Sequence, residues 1–308
     1  MVLILDGGLG TALEGRGINL TGDDLWSARL LRDDPETLVQ VHKEFYDAGA
    51  NIVTSSSYQF SFEGFGKQGV SKEDAEQLLR RSVQLIQKAR DLSSIPNKES
   101  LFVAASLGTY GAVLADGSEY TGRIDKTEAQ LVEFHYERLV ALLSDPTIQP
   151  DYVAFESVPT IIEVRAICTA VKDYCNNVGK LPIVWLSLSC SSVSTLNGGD
   201  SIVGAIEEIE SCKGINIFGF NCLKPTLITG ILKLIEEKCT ITKDVVLYPN
   251  RGEVYEDREW KEGTGCSSAD LVTLSKEWLK TSEHVKIIGG CCRTTVGCIK
   301  SLSSSLNN

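Results

Sequence analysis

Eight short apolar runs, each followed by a segment of helical character, constrain this chain more than any other feature. They begin near residues 2 (VLILD), 51 (NIVTSS), 101 (LFVAASL), 151 (DYVAFES), 182 (PIVWLSLS), 215 (INIFGFN), 244 (DVVLYPN) and 285 (VKIIGG). The runs are apolar on both faces instead of alternating, the pattern of parallel strands covered by helices. Over 72–91, Ala75, Leu78, Leu79, Ile86 and Ala89 fall on one helical face. Over 126–143, Leu131, Phe134, Leu139, Leu142 and Leu143 do the same. Asp125 and Thr160 have the chemistry of helix N-caps. Eight strand-and-helix units in series predict a closed (β/α)8 barrel of the TIM type, which takes about 250 residues. The 308 residues present accommodate it. An open doubly wound sheet would use fewer strands or divide the chain, and no linker offers a division. The expected organisation is one domain over residues 1–308.

Composition narrows the function. A hydrophobic content of 43% and a charged content of 23% are ordinary for a globular chain with a sizeable core. A formal net charge of −11 argues against nucleic acid, whose phosphates require a basic surface. The opening apolar run is about four residues long with no basic stretch before it, so no secretory leader is read. No run approaches the ~18 apolar residues of a membrane span. The expectation is a cytoplasmic chain whose ten cysteines are reduced thiols, some of them available as metal ligands.

In a barrel, function sits at the C-terminal ends of the strands. Those ends carry Asp6, Gly7 and Gly8 on the first strand, Ser55 to Gln59 on the second and the loop 108–122 on the third. They carry Glu156 on the fourth, Asn221 and Cys222 on the sixth, Asn250 on the seventh, and Cys291 and Cys292 on the eighth. Adjacent cysteines make a strained disulfide, so the Cys291–Cys292 pair asks for another explanation. Only the seventh strand separates the pair from Cys222, which is a chelating distance. Three thiolates with one position left open suit a catalytic zinc, whereas a structural zinc is closed by four protein ligands. His42, His135 and His284 lie away from the strand ends, which disfavours a histidine metal site. Cys168, Cys175, Cys212, Cys239 and Cys298 fall on helices or helix ends and read as small packed residues. Cys190 and Cys266 lie nearer the rim, and their status stays open.

DGGLGT at 6–11, GFNC at 219–222 and GGCCRT at 289–294 resemble the homocysteine S-methyltransferase family. GTYGAVLADGSEYTG at 108–122 and YPNRGEVY at 248–255 resemble its branch that uses S-methylmethionine or S-adenosylmethionine. The resemblance covers about residues 2 to 300. It implies a (β/α)8 barrel with one catalytic zinc at the C-terminal face of the strands, bound by Cys222, Cys291 and Cys292, with homocysteine sulfur in the fourth position. It implies that Asp6, Gly7 and Gly8 hold the amino-acid end of homocysteine and that Glu156 pairs with its ammonium group. It places Ser55 near the substrate and Trp26 against the cationic methyl donor, with Asn250 and the 108–122 loop as further donor contacts. Tyr58 and Gln59 line the same rim. Thr109 stands where the branch usually has proline, which predicts a less rigid loop.

The expected activity is zinc-dependent methyl transfer from S-methylmethionine, or from S-adenosylmethionine, to homocysteine, giving methionine. A thiol of pKa near 8.5 is mostly protonated at neutral pH, and coordination to zinc makes it a thiolate. No G-x-G-x-x-G follows a strand, so no Rossmann-type nucleotide site is read. The 108–122 loop argues against betaine as methyl donor, and a selenocysteine acceptor would use the same chemistry. Two readings from other classes compete. A zinc-storing or redox-sensing barrel would need no amino-acid clamp such as Asp6 and Glu156. A thiol hydrolase would need a histidine base beside its cysteine, and none falls at the strand ends.

Overall fold

The computed structural model describes residues 2–256, 259–261 and 263–307. The strands, in chain order, are β1 (Leu3–Ile4), β2 (Ile52–Thr54), β3 (Phe102–Gly108), β4 (Tyr152–Val158), β5 (Ile183–Leu188), β6 (Ile217–Asn221), β7 (Asp244–Tyr248), β8 (Val254–Glu256), β9 (Glu259–Lys261) and β10 (Val285–Ile288). Eight of them form one parallel sheet in the order β1-β10-β7-β6-β5-β4-β3-β2. A parallel bridge between Leu5 and Ile52 joins its two edges, so the sheet closes on itself. The chain is therefore a (β/α)8 barrel, and each apolar run read from the sequence supplies one of its staves. The two remaining strands, β8 and β9, pair antiparallel as a hairpin in the β7–β10 connection, which the apolar pattern did not foretell.

Two cores hold the barrel. The larger lies between sheet and helices and takes the outward face of the staves, including Val53, Val103, Val153, Phe155, Leu186, Phe218 and Val245. The smaller fills the inside with Leu5, Ile52, Ala104, Tyr152, Ala154, Trp185, Ile217, Val246, Tyr248 and Ile287. Successive strand side chains point to opposite faces, so inward positions recur every second residue. Along the staves that inward row changes from apolar to polar: Ala104 to Ser106, Ala154 to Glu156, Trp185 to Ser187, Ile217 to Asn221. Three aromatic rings close the floor. Tyr152 and Trp185 lie 5.6 Å apart, and Trp185 and Tyr248 lie 6.3 Å apart. The Trp185 indole N–H donates to the Tyr248 hydroxyl at 3.2 Å. The barrel is thus a packed core with a polar upper layer, not a pore.

The helices follow the sequence reading with one correction. Lys72–Leu92 buries Ala75, Leu79, Ile86 and Ala89, with Leu78 half-buried against the same core. Thr160 caps Ile161–Asn177 by accepting the Glu163 N–H. Asp125 does not cap the helix over Glu128–Leu143. Thr127 does, in a reciprocal capping box with Gln130. The physical reason is spacing: a cap must stand three residues before the N–H it accepts, and the first turn here offers Gln130 that partner from Thr127. No helix among the described residues is long and apolar enough to cross a membrane.

Candidate functional site

Cys222, Cys291 and Cys292 converge at the C-terminal rim, their sulfurs all within 4.8 Å of one another. Cys222 directly follows β6, and its N–H donates to the Tyr248 carbonyl at the end of β7. Cys291 follows β10 by two glycines, and its N–H donates to the Pro249 carbonyl. Arg251 N–H donates to the Cys292 carbonyl, so the loop after β7 is stitched to both cysteine-bearing loops. Glu253 tightens the stitch: its carboxylate accepts from Arg293 at 2.7 Å and pairs with Arg251 at 3.7 Å. The Sγ–Sγ distances are 2.7 Å for Cys222–Cys291, 3.5 Å for Cys222–Cys292 and 3.9 Å for Cys291–Cys292. A tetrahedral zinc with Zn–S bonds of about 2.3 Å sets its sulfurs about 3.8 Å apart. Two of the three edges match that figure, and the third must open by about an ångström. The donor set, three sulfurs with no fourth protein ligand among the described residues, fits a zinc with one position open to substrate.

Protons are shared unequally among these thiols. Cys292, accepting from Cys222 and Cys291, is held well below the usual thiol value. Cys291, donating to Cys222 and Cys292, is pushed well above it. The backbone around the trio is held in costly conformations. Cys222 (φ 53°), Arg293 (φ 66°) and Ser157 (φ 61°) occupy the left-handed region without being glycine. Each such residue costs about 1–3 kcal/mol, and such residues cluster at functional sites. Asn221 explains how Ser157 is kept there. Its Oδ1 accepts the Ser157 N–H at 2.8 Å, and its Nδ2 donates to Ser157 Oγ at 2.7 Å. One amide thus ties the end of β6, beside Cys222, to the end of β4, beside Glu156.

Glu156 is 7% exposed, and its Oε1 has no hydrogen-bond partner among the described residues. Burial lifts its carboxyl to about 7, against hydroxyl contacts from Ser106 and Tyr248, while the Cys222 charge adds to the lift. Asp6 is also buried and lifted by desolvation, but both its oxygens are occupied: they accept from the Thr54 N–H at 2.8 Å and the Thr54 hydroxyl. Asp6 therefore fastens β2 to β1. Ser55 is likewise engaged, its Oγ 2.6 Å from Ser57 Oγ and accepting the Ser106 N–H at 2.9 Å. Gly8 donates its N–H to the Thr294 carbonyl at 2.9 Å. A Cβ on Gly8 would stand 2.7 Å from the Cys291 carbonyl oxygen, and one on Gly7 would stand 2.6 Å from that of Thr294. With φ of −69°, Gly8 is required for room and not for conformation. The DGG motif is what lets β1 pass against the cysteine loop.

The loop 108–122 sits over the trio on a buried anchor. Glu163, fully buried, accepts from the Thr109 hydroxyl, from the Tyr110 N–H at 2.6 Å and from His135 Nε2 at 3.0 Å. Burial pushes Glu163 upward, but these partners more than offset it and hold the carboxylate ionised below its ordinary value. Burial lowers His135 to about 4, so the ring is neutral. Its Nδ1 then accepts from Arg138 at 2.8 Å, and Arg138 also donates to the Gly108 carbonyl. At Thr109, where the branch usually has proline, the threonine hydroxyl makes a buried hydrogen bond that proline has no donor to make. Further along, Gln59 Nε2 donates to the Ala112 carbonyl at 3.0 Å. The loop brings Tyr120 Oη to 3.8 Å from Cys222 Sγ. It also brings in Glu119, 8% exposed, whose Oε2 lacks a partner among the described residues. Burial lifts Glu119 to about 7, and the Cys222 charge contributes. Neither Glu119 nor Tyr120 was singled out in the sequence, because no strand ends on them.

The remaining candidates are placed as follows. Asn250 Oδ1 accepts the Gly252 N–H at 2.7 Å and shapes the loop after β7. Trp26 has φ of 46° and lays its ring over Gly10, where a Cβ would be 2.3 Å away. Tyr58, pushed well up by burial, also feels the charges of Glu119 and Cys222. Cys190 is buried in the main core, which settles it as a packed residue. Cys266 donates its N–H to the Arg251 carbonyl, accepts from Arg251 Nε at its own carbonyl, and is absent from the trio.

Comparison with known proteins agrees with this geometry. Residues 3–306 match the family described as homocysteine S-methyltransferase. Homocysteine S-methyltransferase 3 of Zea mays is 38% identical, over 99% of this chain and 90% of the relative. Selenocysteine Se-methyltransferase of Brassica oleracea var. italica is 37% identical, over 98% of this chain and 88% of the relative. The homocysteine methyltransferase MmuM from Escherichia coli, solved in a metallated form, superposes with a TM-score of 0.83 at 30% identity. That superposition covers 98% of this chain and 96% of MmuM. The chain is a methyltransferase, and it belongs to the homocysteine S-methyltransferase family.

Proposed function

We propose that the chain, one homocysteine-binding barrel over residues 1–308, moves a methyl group from a sulfonium compound to homocysteine, forming methionine. S-methylmethionine is the preferred methyl donor and S-adenosylmethionine the alternative. The observation that carries the reading is the juxtaposition of three convergent thiols with the buried carboxylate of Glu156, whose Oε1 has no partner among the described residues. A zinc-storing or redox-sensing site would leave that carboxylate without a use. Cys222, Cys291 and Cys292 would hold the zinc. The metal, when bound, supplies a soft cation that stabilises a substrate thiol as its thiolate.

The chain's own residues do the rest. Glu156 Oε1 accepts from the homocysteine ammonium group, and Asp6 with Gly7 and Gly8 keeps the end of β1 seated beside it. Ser55 and its serine partners hold β2 and β3 in register beneath the substrate. Trp26 offers its ring face to the sulfonium, which aromatic π-systems attract, and Asn250 frames the opposite side. Arranged so, the homocysteine sulfur forms a bond to the methyl carbon as the carbon–sulfonium bond breaks. The electron pair of the broken bond stays on the departing sulfur, which leaves as a neutral thioether. The homocysteine proton is lost to solvent before the transfer. The ten free cysteines support a reducing, cytoplasmic setting.

The test is a cross of acceptors and methyl donors on the purified chain. Homocysteine and selenocysteine are each offered S-methylmethionine, S-adenosylmethionine and betaine. The reading expects the highest kcat/KM for homocysteine with S-methylmethionine. A higher value with selenocysteine would move the chain beside its Brassica relative, and turnover with betaine alone would overturn the sulfonium assignment.

A further inference from the structure

Two carboxylates face the cysteine trio from different parts of the fold, and each keeps one buried oxygen without a partner among the described residues. Glu156 stands on β4 at the top of the barrel interior. Glu119 stands on the loop after β3. A buried carboxylate oxygen with nothing to accept is a standing cost, and a site that retains one is built for a ligand that donates to it. Homocysteine carries a single ammonium group, which Glu156 accounts for. The second carboxylate asks for a second cation.

We infer that Glu119 is the specificity-determining residue for the methyl donor, accepting from the cationic amino-acid or sulfonium end of that molecule while Glu156 holds the acceptor. The inference rests on the methyl-transfer reading and deepens it.

The structure positions Glu119 for this purpose. Its backbone carbonyl accepts from Ser189 Oγ at 3.4 Å and Asn197 Nδ2 at 3.3 Å, so the loop is tied to the segment after β5. The loop root is pinned by Glu163, itself held by His135. The next residue, Tyr120, reaches Cys222, and Tyr58 lies near enough to feel the Glu119 charge. The carboxylate stands on a doubly anchored loop, one residue from the tyrosine whose hydroxyl reaches Cys222, beside the sulfurs where the acceptor thiol must sit. A net positive donor such as S-methylmethionine gains from it, whereas a neutral methylating agent does not.

The experiment compares wild type, E119Q and E119D as zinc-loaded protein. Dissociation constants for S-methylmethionine and homocysteine are measured by calorimetry, and methyl transfer is followed from S-methylmethionine and from methyl iodide. E119Q is expected to bind S-methylmethionine about 10- to 100-fold more weakly, the range for losing a hydrogen bond to a charged group. Homocysteine affinity and the rate with methyl iodide should stay within about twofold of wild type, and E119D should recover part of the loss. Unchanged S-methylmethionine binding in E119Q would overturn the inference alone, since the wild-type reaction would stand. Equal losses with S-methylmethionine and methyl iodide would make Glu119 a structural residue and also overturn it. A wild-type chain that neither binds nor uses S-methylmethionine or S-adenosylmethionine would overturn the methyl-transfer reading with it.

Discussion

Replacing Glu156 with glutamine should weaken the site and change how the fold responds to pH. In the folded chain the Glu156 carboxyl is lifted to about 7 from an ordinary value of 4.5, chiefly by burial. Between those values the folded state keeps a proton that the unfolded state has released. Stability therefore falls as pH rises through the window, and the full penalty is present above about pH 7. The step from 4.5 to about 7, at 1.36 kcal/mol per pH unit, amounts to roughly 3 kcal/mol. Glutamine cannot ionise, so E156Q has no such slope. Its buried amide carries a fixed cost of about 1–3 kcal/mol if left unbonded. The variant should be less stable than wild type near pH 4.5, and the difference should move in its favour by about 3 kcal/mol by pH 8. Urea unfolding of the metal-free proteins at a series of pH values measures this directly. Homocysteine affinity, measured on zinc-loaded protein, should drop about 10- to 100-fold in the same variant. A parallel pH dependence in the two proteins would refute the reasoning, because it would mean that Glu156 titrates alike in the folded and unfolded chain.

Other perturbations test the frame around the thiols. Gly8→Ala drives a Cβ to 2.7 Å from the Cys291 carbonyl oxygen, which is main chain and cannot swing aside, with Thr11 Oγ1 at 3.0 Å. It should cost about 1–3 kcal/mol and lower zinc affinity, read by competition with a chromophoric chelator. Unchanged zinc affinity would mean that the cysteine loop is not held by β1. Asn221→Ala removes the two hydrogen bonds that its amide makes to Ser157, leaving the buried N–H without that acceptor at a cost of about 1–3 kcal/mol. It should lower kcat more than it raises KM, and wild-type kinetics would show that Ser157 keeps its φ unaided.

Much of the barrel was legible because parallel staves covered on both sides leave continuous apolar runs, which local sequence records. The same continuity hid the polar inner layer. In DYVAFES the glutamate reads as the end of a run, and only the inward row Tyr152, Ala154, Glu156 shows that it crowns the interior. The cysteine trio was legible because only one stave separates the two strand ends that carry it, Cys222 at one and Cys291 with Cys292 at the other, so the three sulfurs come within reach of one another. Glu119 was not, because its position depends on how a 15-residue loop folds back over the rim, and Thr109, Glu163 and His135 fix that fold from three separate elements. Ser55 and Gly8 were assigned to the substrate through the family resemblance. In the structure Ser55 Oγ also accepts the Ser106 N–H and the Gly8 N–H also donates to the Thr294 carbonyl, bonds to other strands and loops that local sequence does not record.

The most direct test of the central claim is a joint measurement on one purified sample: zinc per chain, and methionine formed from homocysteine and S-methylmethionine, before and after treatment with a strong chelator. The account predicts about one zinc per chain, turnover that disappears with the metal and returns with it, and neither zinc nor turnover in Cys291→Ala. Turnover that survives complete removal of zinc, or a Cys291→Ala chain that still holds the metal and still makes methionine, would contradict it.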